Sequence, residues 1–458
     1  MKKILAVLVF TLVAACLVAP KFIASIHQAK LVEIVENINK SAGYSATLIS
    51  SNTAWFGSEN KVQVSYDIGL VDPSLQGKKL ETELLIVTHY GPLLFSRQGL
   101  MGLFATDVSI TGEKQRALLS WDESQPLYQL VVIGGFSGNI KVADSIPAIS
   151  NPADTIQFSG YSGQGELSAK EFAYQGTFDQ LSLVDGFTPI KAENFAVSIE
   201  LNTDLATLMS GSFYESTSDF NLDKLTVGNN TELAGLNIEV GSELDKDTQL
   251  GKVTLDYYID NVIFAETKVS DLTLMTELTN LSNTFFMNLQ KFSNNFSPSN
   301  PLKENNYEKL VAFMQDHVDE LLSNKPEFNI TKFSGSFPEG DFTSNLTSSF
   351  ADIGTPTAEE FLSLDFWRYN TITKAHFEID EPLLKDLTEQ FIANKMRAPK
   401  NAPQVKQQVQ KLLFSLVAAG IIQGPQKTVI KSDTYFYSSD LLFEKGQTIV
   451  NGTPLPLM

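Results

Sequence analysis

Histidine and cysteine are the residue types best suited to acid–base, nucleophilic and metal chemistry, and the chain contains few of them. They are His27, His89, His317, His376 and Cys16. The histidines lie far apart in the sequence, and none forms the His-Glu-x-x-His pair of a zinc protease. The single cysteine excludes an intramolecular disulfide and a zinc site built from cysteines. We therefore predict no catalytic residues and no metal ligands.

The glycine-rich stretches lack the order of catalytic and nucleotide-binding motifs. "GYSGQG" and "GGFSG" do not have the Gly-x-Ser-x-Gly order of a nucleophile elbow. The sequence contains no phosphate-binding loop and no dinucleotide fingerprint. Carboxylate pairs such as Glu81 and Glu83 share a strand face, which is the expected background in so acidic a chain. We predict that the protein is not an enzyme and that it binds no cofactor.

The composition describes a large and acidic chain. It has 458 residues, with 53 Asp and Glu against 34 Lys and Arg, which gives a net charge of −19. Such a surface repels nucleic acid and anionic headgroups, and the sequence has no Lys/Arg cluster that would reverse this locally. We predict no nucleic-acid partner. The length suits two or three domains, or one elongated sheet with helical attachments.

An uncharged run from Ile4 to Ala19 predicts a membrane anchor. At about 1.5 Å per residue the run gives about 24 Å of helix, and it can be lengthened to about Ile26 to cross about 30 Å of hydrocarbon. Lys2 and Lys3 on the short side place the N-terminus in the cytoplasm and the body outside. The predicted anchor residues are Ile4, Leu5, Val7, Leu8, Phe10, Leu12, Val13, Leu17 and Val18.

Two alternatives to an uncleaved anchor remain open. Val13-Ala14-Ala15-Cys16 also fits the small-residue pattern before a bacterial lipoprotein cysteine, which would make Cys16 a lipidation site. The same stretch fits a signal-peptidase site, which would release a secreted protein. The apolar residues that continue after Cys16 differ from the polar tether of most lipoproteins. All three alternatives place the body outside the cytoplasm.

Hydrophobic periodicity predicts an α+β protein that is mainly β: long curved antiparallel sheets, several packed helices and an N-terminal transmembrane helix. Phe22, Ile26, Leu31, Ile34, Val35 and Ile38 recur near the helical period in a lead-off helix. The predicted regions are a membrane anchor at 1–26, the lead-off helix at 27–43, an antiparallel β region at 44–280, helices at 281–324 with a polar linker at 292–306, and a second α+β region at 325–458.

The order of several short motifs resembles the YdgA-like bacterial envelope family, a domain of unknown function. These motifs are "NTAWFGSENKVQVSY", "VTHYGPLLF", "FNITKFSGSFPEGDFTSNL" and "YFYSSDLLFEKGQTIVNGTPL". The residues that carry the resemblance are Trp55, Phe56, Ser58, His89, Gly91, Pro92, Pro338, Gly340, Gly446, Asn451 and Gly452. The resemblance implies a single-pass inner-membrane protein with a periplasmic body, and it supplies no catalytic residues.

The family-like residues also have structural explanations. Gly-Pro and Asn-Gly pairs make turns, and we expect Trp55 and Phe56 to pack beneath a hairpin.

Two functions are compatible with these features. The first is a non-catalytic interaction or scaffolding role in the cell envelope, with a protein partner or a second copy of the chain. The second is lipid binding or transfer on an apolar groove of a curved sheet. An apolar sheet face that is open to solvent would favour lipid, whereas a face closed by helices would exclude it.

Overall fold

The computed structural model describes residues 2–41, 43–70, 73–96, 99–185, 188–265, 267–294, 304–351, 353–354, 356–361, 363–427 and 435–455. Side chains are described from Ala19 onward, except at 40, 73, 95–96, 99, 185, 205–206, 209, 294, 304–307 and 358. The chain divides into two compact units. Unit 1 is Met1–Ser210 with Gln290–Glu308, and unit 2 is Gly211–Leu289 with Lys309–Met458. This division cuts the predicted antiparallel region 44–280 at Ser210. Residues 295–303 of the predicted polar linker lie outside the described residues.

The first helix, α1 (Lys2–Lys40), runs through Pro20 without a break, so the predicted anchor and lead-off helix share one helical backbone. The side chains of the predicted anchor residues and of Cys16 lie outside the described residues. Among the helices that the structure describes, none is both long enough and apolar enough to cross a membrane. The transmembrane element of the predicted fold class is therefore not found.

Unit 1 is an antiparallel meander in which each long strand pairs with the next one along the chain. A small hairpin of β4 and β5 follows β3, and the short β9 and β10 continue the edges of their neighbours. Its strands are β1 Tyr44–Thr53, β2 Gly57–Asp67, β3 Lys79–Tyr90, β4 Leu93–Ser96, β5 Gly99–Met101, β6 Phe104–Ile110, β7 Tyr128–Gly134, β8 Ile140–Ile146, β9 Ile149–Ser150, β10 Ile156–Phe158, β11 Tyr161–Leu167, β12 Phe172–Asp185 and β13 Thr188–Asn202, and the short helix α2 is Leu205–Ser210.

The core of unit 1 lies between α1 and the first strands. Leu31 packs on Ala46, Val62 and Ile86, which come from three successive strands. The predicted apolar stripe of α1 is partly wrong, because Phe22, Ile26 and Ile34 are 69, 66 and 54% exposed. The side of the helix that meets the sheet instead carries Ala24, His27, Gln28, Leu31 and Val35.

Unit 2 is a second antiparallel meander, with helices inserted between its later strands. The strands are β14 Glu215–Val227, β15 Thr231–Asp245, β16 Leu250–Phe264, β17 Thr267–Ser282, β18 Glu327–Phe337, β19 Gly340–Phe350, β20 Thr371–Asp380, β21 Gln423–Lys427, β22 Tyr435–Glu444, β23 Gln447–Val450 and β24 Thr453–Pro454. The helices are α3 Asn283–Asn294, α4 Glu304–Leu322, α5 Ala358–Phe361, α6 Leu364–Asn370, α7 Glu381–Met396 and α8 Pro403–Ala418. Residues 290–294 of α3 and 304–308 of α4 belong to unit 1.

Strands hold 53% of the chain, so the predicted mainly β class with a long antiparallel sheet is confirmed. Period-2 alternation in the sequence is the physical reason, because it places apolar residues on one face of each strand. The helices of unit 2 form their own small cores: Val405, Val409 and Leu413 of α8 pack against Ala393 of α7.

Candidate functional site

One face of strands β14 to β20 in unit 2 is largely apolar. The pairing registers align residues of the same face in rows that run across the strands. The apolar members of the central rows are Phe220, Ile238, Tyr257, Leu274, Phe333 and Phe377; Val240, Leu255, Ile330, Leu346 and Ala375; and Leu222, Leu236, Ile259 and Leu272. We call these residues the apolar face. Ser344 interrupts the first row, and Ser218 and Thr276 stand in the second.

Every residue of the apolar face remains accessible to solvent. None of them is buried, and Phe333 and Phe377 are 38 and 37% exposed. Solvent therefore reaches each of these side chains. The main helix contacts of these strands within unit 2 are made by α7 at β19 and β20. The part of the apolar face on β14 to β18 is the open part.

The dimensions follow from sheet geometry. Seven strands, β14 to β20, at about 4.8 Å spacing span about 29 Å, and three rows of alternate residues extend about 13 Å along the strands. The product is an envelope of roughly 400 Å² that includes Thr276 and Ser344, which is the size of the largest apolar patch on a typical monomeric protein, and such a patch is often functional.

The opposite face of the same strands is polar. Asp219, Glu239 and Asp256 form one cross-strand row there. Lys252 pairs with Glu277 at 2.9 Å, which raises the pKa of Lys252. Water therefore solvates this side of the sheet, while the other side presents hydrocarbon.

Helix α7 closes one end of the apolar face. Leu383 of α7 is fully buried against Ile379 and Tyr437, and Phe342 packs on this cluster. The ring of Phe342 also lies 5.1 Å from that of Phe333. The apolar face therefore continues directly from a helix-covered core at β19 and β20 into open surface.

In unit 1 the corresponding contact with a helix is made by α1, and it includes a buried polar network. Ser58 Oγ and the hydroxyl of Tyr90 are 2.7 Å apart, and Asn60 Nδ2 donates to Ser58 Oγ at 3.3 Å. Gln28 Nε2 donates to Asn60 Oδ1 at 3.2 Å, so α1 is joined to β2 and β3. Asn60 and Tyr90 are both fully buried.

His27 lies beside this network, and Thr106 and Tyr90 contact its ring. Its Nε2 lies 3.1 Å from Thr106 Oγ1, and its ring meets Tyr90 edge-on with centroids 5.9 Å apart and Phe104 at 6.0 Å. Within the described residues, His27 Nδ1 is buried without a hydrogen bond. Burial removes water from the imidazolium form, so the pKa of His27 lies below its ordinary value of 6.5.

His376 in unit 2 has the opposite environment. Its Nδ1 lies 2.7 Å from Asp440 Oδ1 and its Nε2 lies 3.1 Å from Glu378 Oε1. The hydrogen bonds to Asp440 and then to Glu378 favour the charged ring and raise the pKa of His376 above 6.5. His376 lies on the polar side of the sheet, in one cross-strand row with Asn345 and Asp440.

We expect these two histidines to titrate on opposite sides of pH 6.5, which NMR spectra of the imidazole rings can follow. For His27, folding favours the neutral ring, so its contribution to stability is complete above pH 6.5 and is lost as the pH falls. For His376, the contribution is complete below pH 6.5 and is lost as the pH rises through the folded pKa. The variants His27→Gln and His376→Gln assign the signals. A His27 signal that titrates above pH 6.5 would contradict the buried network.

The predicted family-like residues lie in three groups. The first group lies at one end of the unit 1 sheet and consists of Trp55, Phe56, Ser58, His89, Gly91 and Pro92. The second lies where β18 turns into β19 and consists of Pro338 and Gly340. The third lies in the turns that join β22, β23 and β24 and consists of Gly446, Asn451 and Gly452. The Asn451-Gly452 turn has positive φ at both residues, 49° and 79°, as a tight hairpin requires.

Three details refine these assignments. Asn451 also accepts a hydrogen bond from the amide of Asp440 and donates to the carbonyl of Gly420, both at 2.8 Å. His89 lines an outer groove of about 680 Å³ together with Asp107 and Arg116. The expectation that Trp55 and Phe56 pack beneath a hairpin is wrong, since they are 49 and 41% exposed.

Sequence reasoning missed the network of Asn60 and Tyr90 and the place of His27 beside it. A usable signal was present in the strand pattern: Ser58 and Asn60 occupy the same inward-facing alternate positions as Val62 and Val64, and polar residues at buried positions need hydrogen-bond partners.

In the part of the chain that the structure describes, no group of three or more His, Cys, Asp or Glu residues could hold a metal ion.

Comparison with known proteins adds the family. No curated protein matches the chain. No solved structure matches it. The family model described as "Bacterial protein of unknown function (DUF945)" matches residues 1–458, the whole chain. The protein therefore belongs to this bacterial family.

Proposed function

We propose that the protein is a non-catalytic lipid-binding protein of the cell envelope, which holds acyl chains on the apolar face of β14 to β20. The observation that carries this proposal is the exposure of the apolar face, whose apolar residues are half-buried or exposed in every row and extend over seven strands with interruptions at Ser218, Thr276 and Ser344. Lipid transfer between membranes would use the same contacts.

The chemistry of the surface suits an acyl chain better than a polar ligand. The central rows present aliphatic side chains together with phenylalanine and tyrosine rings. Each methylene group of a ligand that leaves water for such a surface contributes about 0.8 kcal/mol of favourable transfer free energy. Several methylenes are needed to offset the loss of freedom on binding, which favours a long chain lying across several strands. The polar opposite face keeps the loaded sheet in contact with water.

We further propose that the chain is held at the bacterial inner membrane as a single-pass protein of the YdgA-like group, with its body in the periplasm. The support is the uncharged run from Ile4 to Ala19, the preceding Lys2 and Lys3, and the continuous helical backbone of α1. Lipidation at Cys16 is the alternative attachment. Mass measurement of the mature N-terminus distinguishes them, because a new terminus at a diacylglyceryl Cys16 would contradict the uncleaved anchor.

Two neighbouring substitutions on β19 test lipid binding. Leu346 belongs to the apolar face, and Thr347 is exposed on the opposite face of the same strand. We expect Leu346→Glu to lose lipid that co-purifies with the full chain, because a carboxylate in the acyl-chain path costs several kcal/mol unless it is solvated. We expect Thr347→Glu to retain lipid. Native mass spectrometry in mild detergent measures the bound lipid.

The controls make this comparison decisive. Both variants carry the same added charge on the same strand, and thermal unfolding shows whether each is folded. Phe333→Ser, which removes an exposed ring without adding charge, provides a second measurement if Leu346→Glu does not fold. Equal lipid content in the wild type, Leu346→Glu and Phe333→Ser would overturn the proposal.

An envelope interaction or scaffolding role is the second proposal. It is supported by large apolar side chains on the outer sides of α7 and α8, where Phe391 is 60% and Phe414 is 76% exposed. Such residues suit a protein partner or a second copy of the chain. Cross-linking in intact cells is expected to recover a complex that Phe391→Ser/Phe414→Ser loses. Recovery of the lone chain in every case would contradict this role.

A further inference from the structure

One end of the unit 1 sheet carries a group of exposed apolar side chains. Trp55 and Phe56 lie in the turn between β1 and β2, Leu100 and Met101 in the β4–β5 hairpin, and Phe136 in the turn between β7 and β8. Their exposed fractions are 49, 41, 79, 65 and 56%. We call this set the apolar end.

The pairing register places these turns side by side. Gly57 pairs with His89, Tyr90 pairs with Phe104, and Phe104 pairs with Gly134. The β4–β5 hairpin leaves the sheet between Tyr90 and Phe104. The three loops therefore emerge from neighbouring strands at the same end of the sheet.

The N-terminal part of the described side chains of α1 lies at this same end of the sheet. Lys21 Nζ lies 5.2 Å from the centre of the Trp55 ring, a cation–π contact. At the other end of the sheet, Asn39 exchanges two hydrogen bonds with the backbone of Ala46. Helix α1 therefore runs along the strands. The uncharged run from Ile4 to Ala19 comes just before Lys21 in the sequence, so its C-terminal end adjoins the apolar end.

The charge distribution differs between the two ends of the sheet. Residues 53–57, 91–104 and 134–140 contain no Asp or Glu, although the chain has 53 of them. The loops at the opposite end carry Asp67, Glu113, Asp122 and Glu123. The carboxylate-free part of this end comprises the β1–β2 turn and the β4–β5 hairpin. The β7–β8 turn lies closer to acidic groups, because Asn139 Nδ2 donates to Glu166 Oε1 of β11 at 2.9 Å and the neighbouring β11–β12 turn carries Glu171.

We propose that the apolar end of unit 1 lies in the interface of the membrane to which the N-terminal run is attached, with Trp55, Phe56 and the β4–β5 hairpin at the boundary between headgroups and acyl chains. Tryptophan suits this depth because its ring is apolar and its N–H is polar, and a nearby lysine reaches the phosphates. The proposal rests on the proposed membrane attachment and is independent of lipid binding by β14 to β20.

Tryptophan fluorescence of the full chain in proteoliposomes tests this placement. The chain has three tryptophans, so Trp121→Phe/Trp367→Phe leaves Trp55 as the reporter. The vesicles contain phosphatidylethanolamine and phosphatidylglycerol with acyl chains brominated near the carbonyl. We expect Trp55 emission to shift to shorter wavelength and to be quenched. The matched control, Trp55→Phe/Trp367→Phe, reports from Trp121, beyond the far end of β6 and about 20 Å away along the strand, and we expect no quenching.

The outcomes separate this proposal from the others. We expect Leu100→Ser/Met101→Ser/Phe136→Ser to reduce Trp55 quenching while the chain still floats with the vesicles. A chain that floats but leaves Trp55 unquenched would overturn the interface placement and leave the attachment intact. A chain that does not float would overturn both. Leu346→Glu is expected to leave Trp55 quenching unchanged, because β19 takes no part in this surface.

Discussion

Gly91→Ala should destabilise unit 1 by about 3 kcal/mol or more, because the added methyl group has no space. A Cβ at Gly91 would lie 1.6 Å from the carbonyl oxygen of Gly102, so the backbone itself must move. The amide of Gly91 donates to the carbonyl of Leu103 at 2.7 Å, and that of Gly102 to the carbonyl of Pro92 at 3.2 Å. The substitution therefore breaks the base of the β4–β5 hairpin. Chemical denaturation measures the loss.

Gly354→Ala is the matched control for this prediction. Nothing lies within 4 Å of a Cβ at Gly354, so the substitution should be neutral or slightly stabilising through the unfolded chain. If Gly91→Ala and Gly354→Ala unfold at the same denaturant concentration, the backbone segments at Gly91 and Gly102 do not lie as close together as the structure places them.

Leu383→Ala is expected to lower the free energy of unfolding of unit 2 by about 2–5 kcal/mol. Leu383 is fully buried between α7 and the β20–β22 strands, and the lost methyl groups would leave a cavity beside Ile379 and Tyr437. Weaker packing of α7 would also uncover more of the apolar face near Phe342. Thermal unfolding and binding of an apolar dye report the two effects.

Leu387→Ala, one turn further along α7, is the matched control. It makes the same Leu-to-Ala change in the same helix at an exposed position, so the difference between the two variants measures the effect of burial on the free energy of unfolding. Leu387 is 39% exposed, so its truncation should cost less than about 1 kcal/mol. Equal losses for Leu383→Ala and Leu387→Ala would show that α7 does not pack on the sheet through the side that carries Leu383.

The strand pattern was predictable because alternation has a direct physical cause, whereas helix faces were predicted less well. Apolar periodicity in α1 pointed to Phe22, Ile26 and Ile34, but these are exposed. The buried side instead uses His27 and Gln28, which the sequence marks as polar. These polar side chains can be buried because strand residues bond them: Thr106 lies within hydrogen-bond distance of His27, and Asn60 accepts from Gln28. The helix sequence alone does not show these partners.

A second difference concerns residues 364–370. "FWRYNTITKAHFEI" alternates from Phe366, which predicts one long strand, but Leu364–Asn370 forms α6 and β20 begins at Thr371. The reason is an aromatic cluster: the Trp367 ring packs at 5.0–5.1 Å from those of Phe350, Phe361 and Phe366. Tertiary packing of these rings outweighs the local strand pattern.

The apolar face shows the limit of sequence reasoning for function. Alternation in β14 to β20 identifies the inward residues, but the same pattern would arise beneath a layer of helices. Whether Leu255, Tyr257 or Leu274 is covered depends on where α7 and α8 pack, which no local signal encodes. These three side chains are intermediate in exposure, and the proposal of lipid binding rests on that observation.

Photolabelling measures the central claim most directly. The full chain is incubated with a phospholipid that carries a diazirine in its acyl chain, irradiated, digested and mapped by mass spectrometry. The account predicts adducts on residues of the apolar face such as Tyr257, Leu274 and Phe333, and fewer on polar-face residues such as Asp256 and Lys332. Labelling that is equal on both faces of β14 to β20, or absent from these strands, would contradict acyl-chain binding.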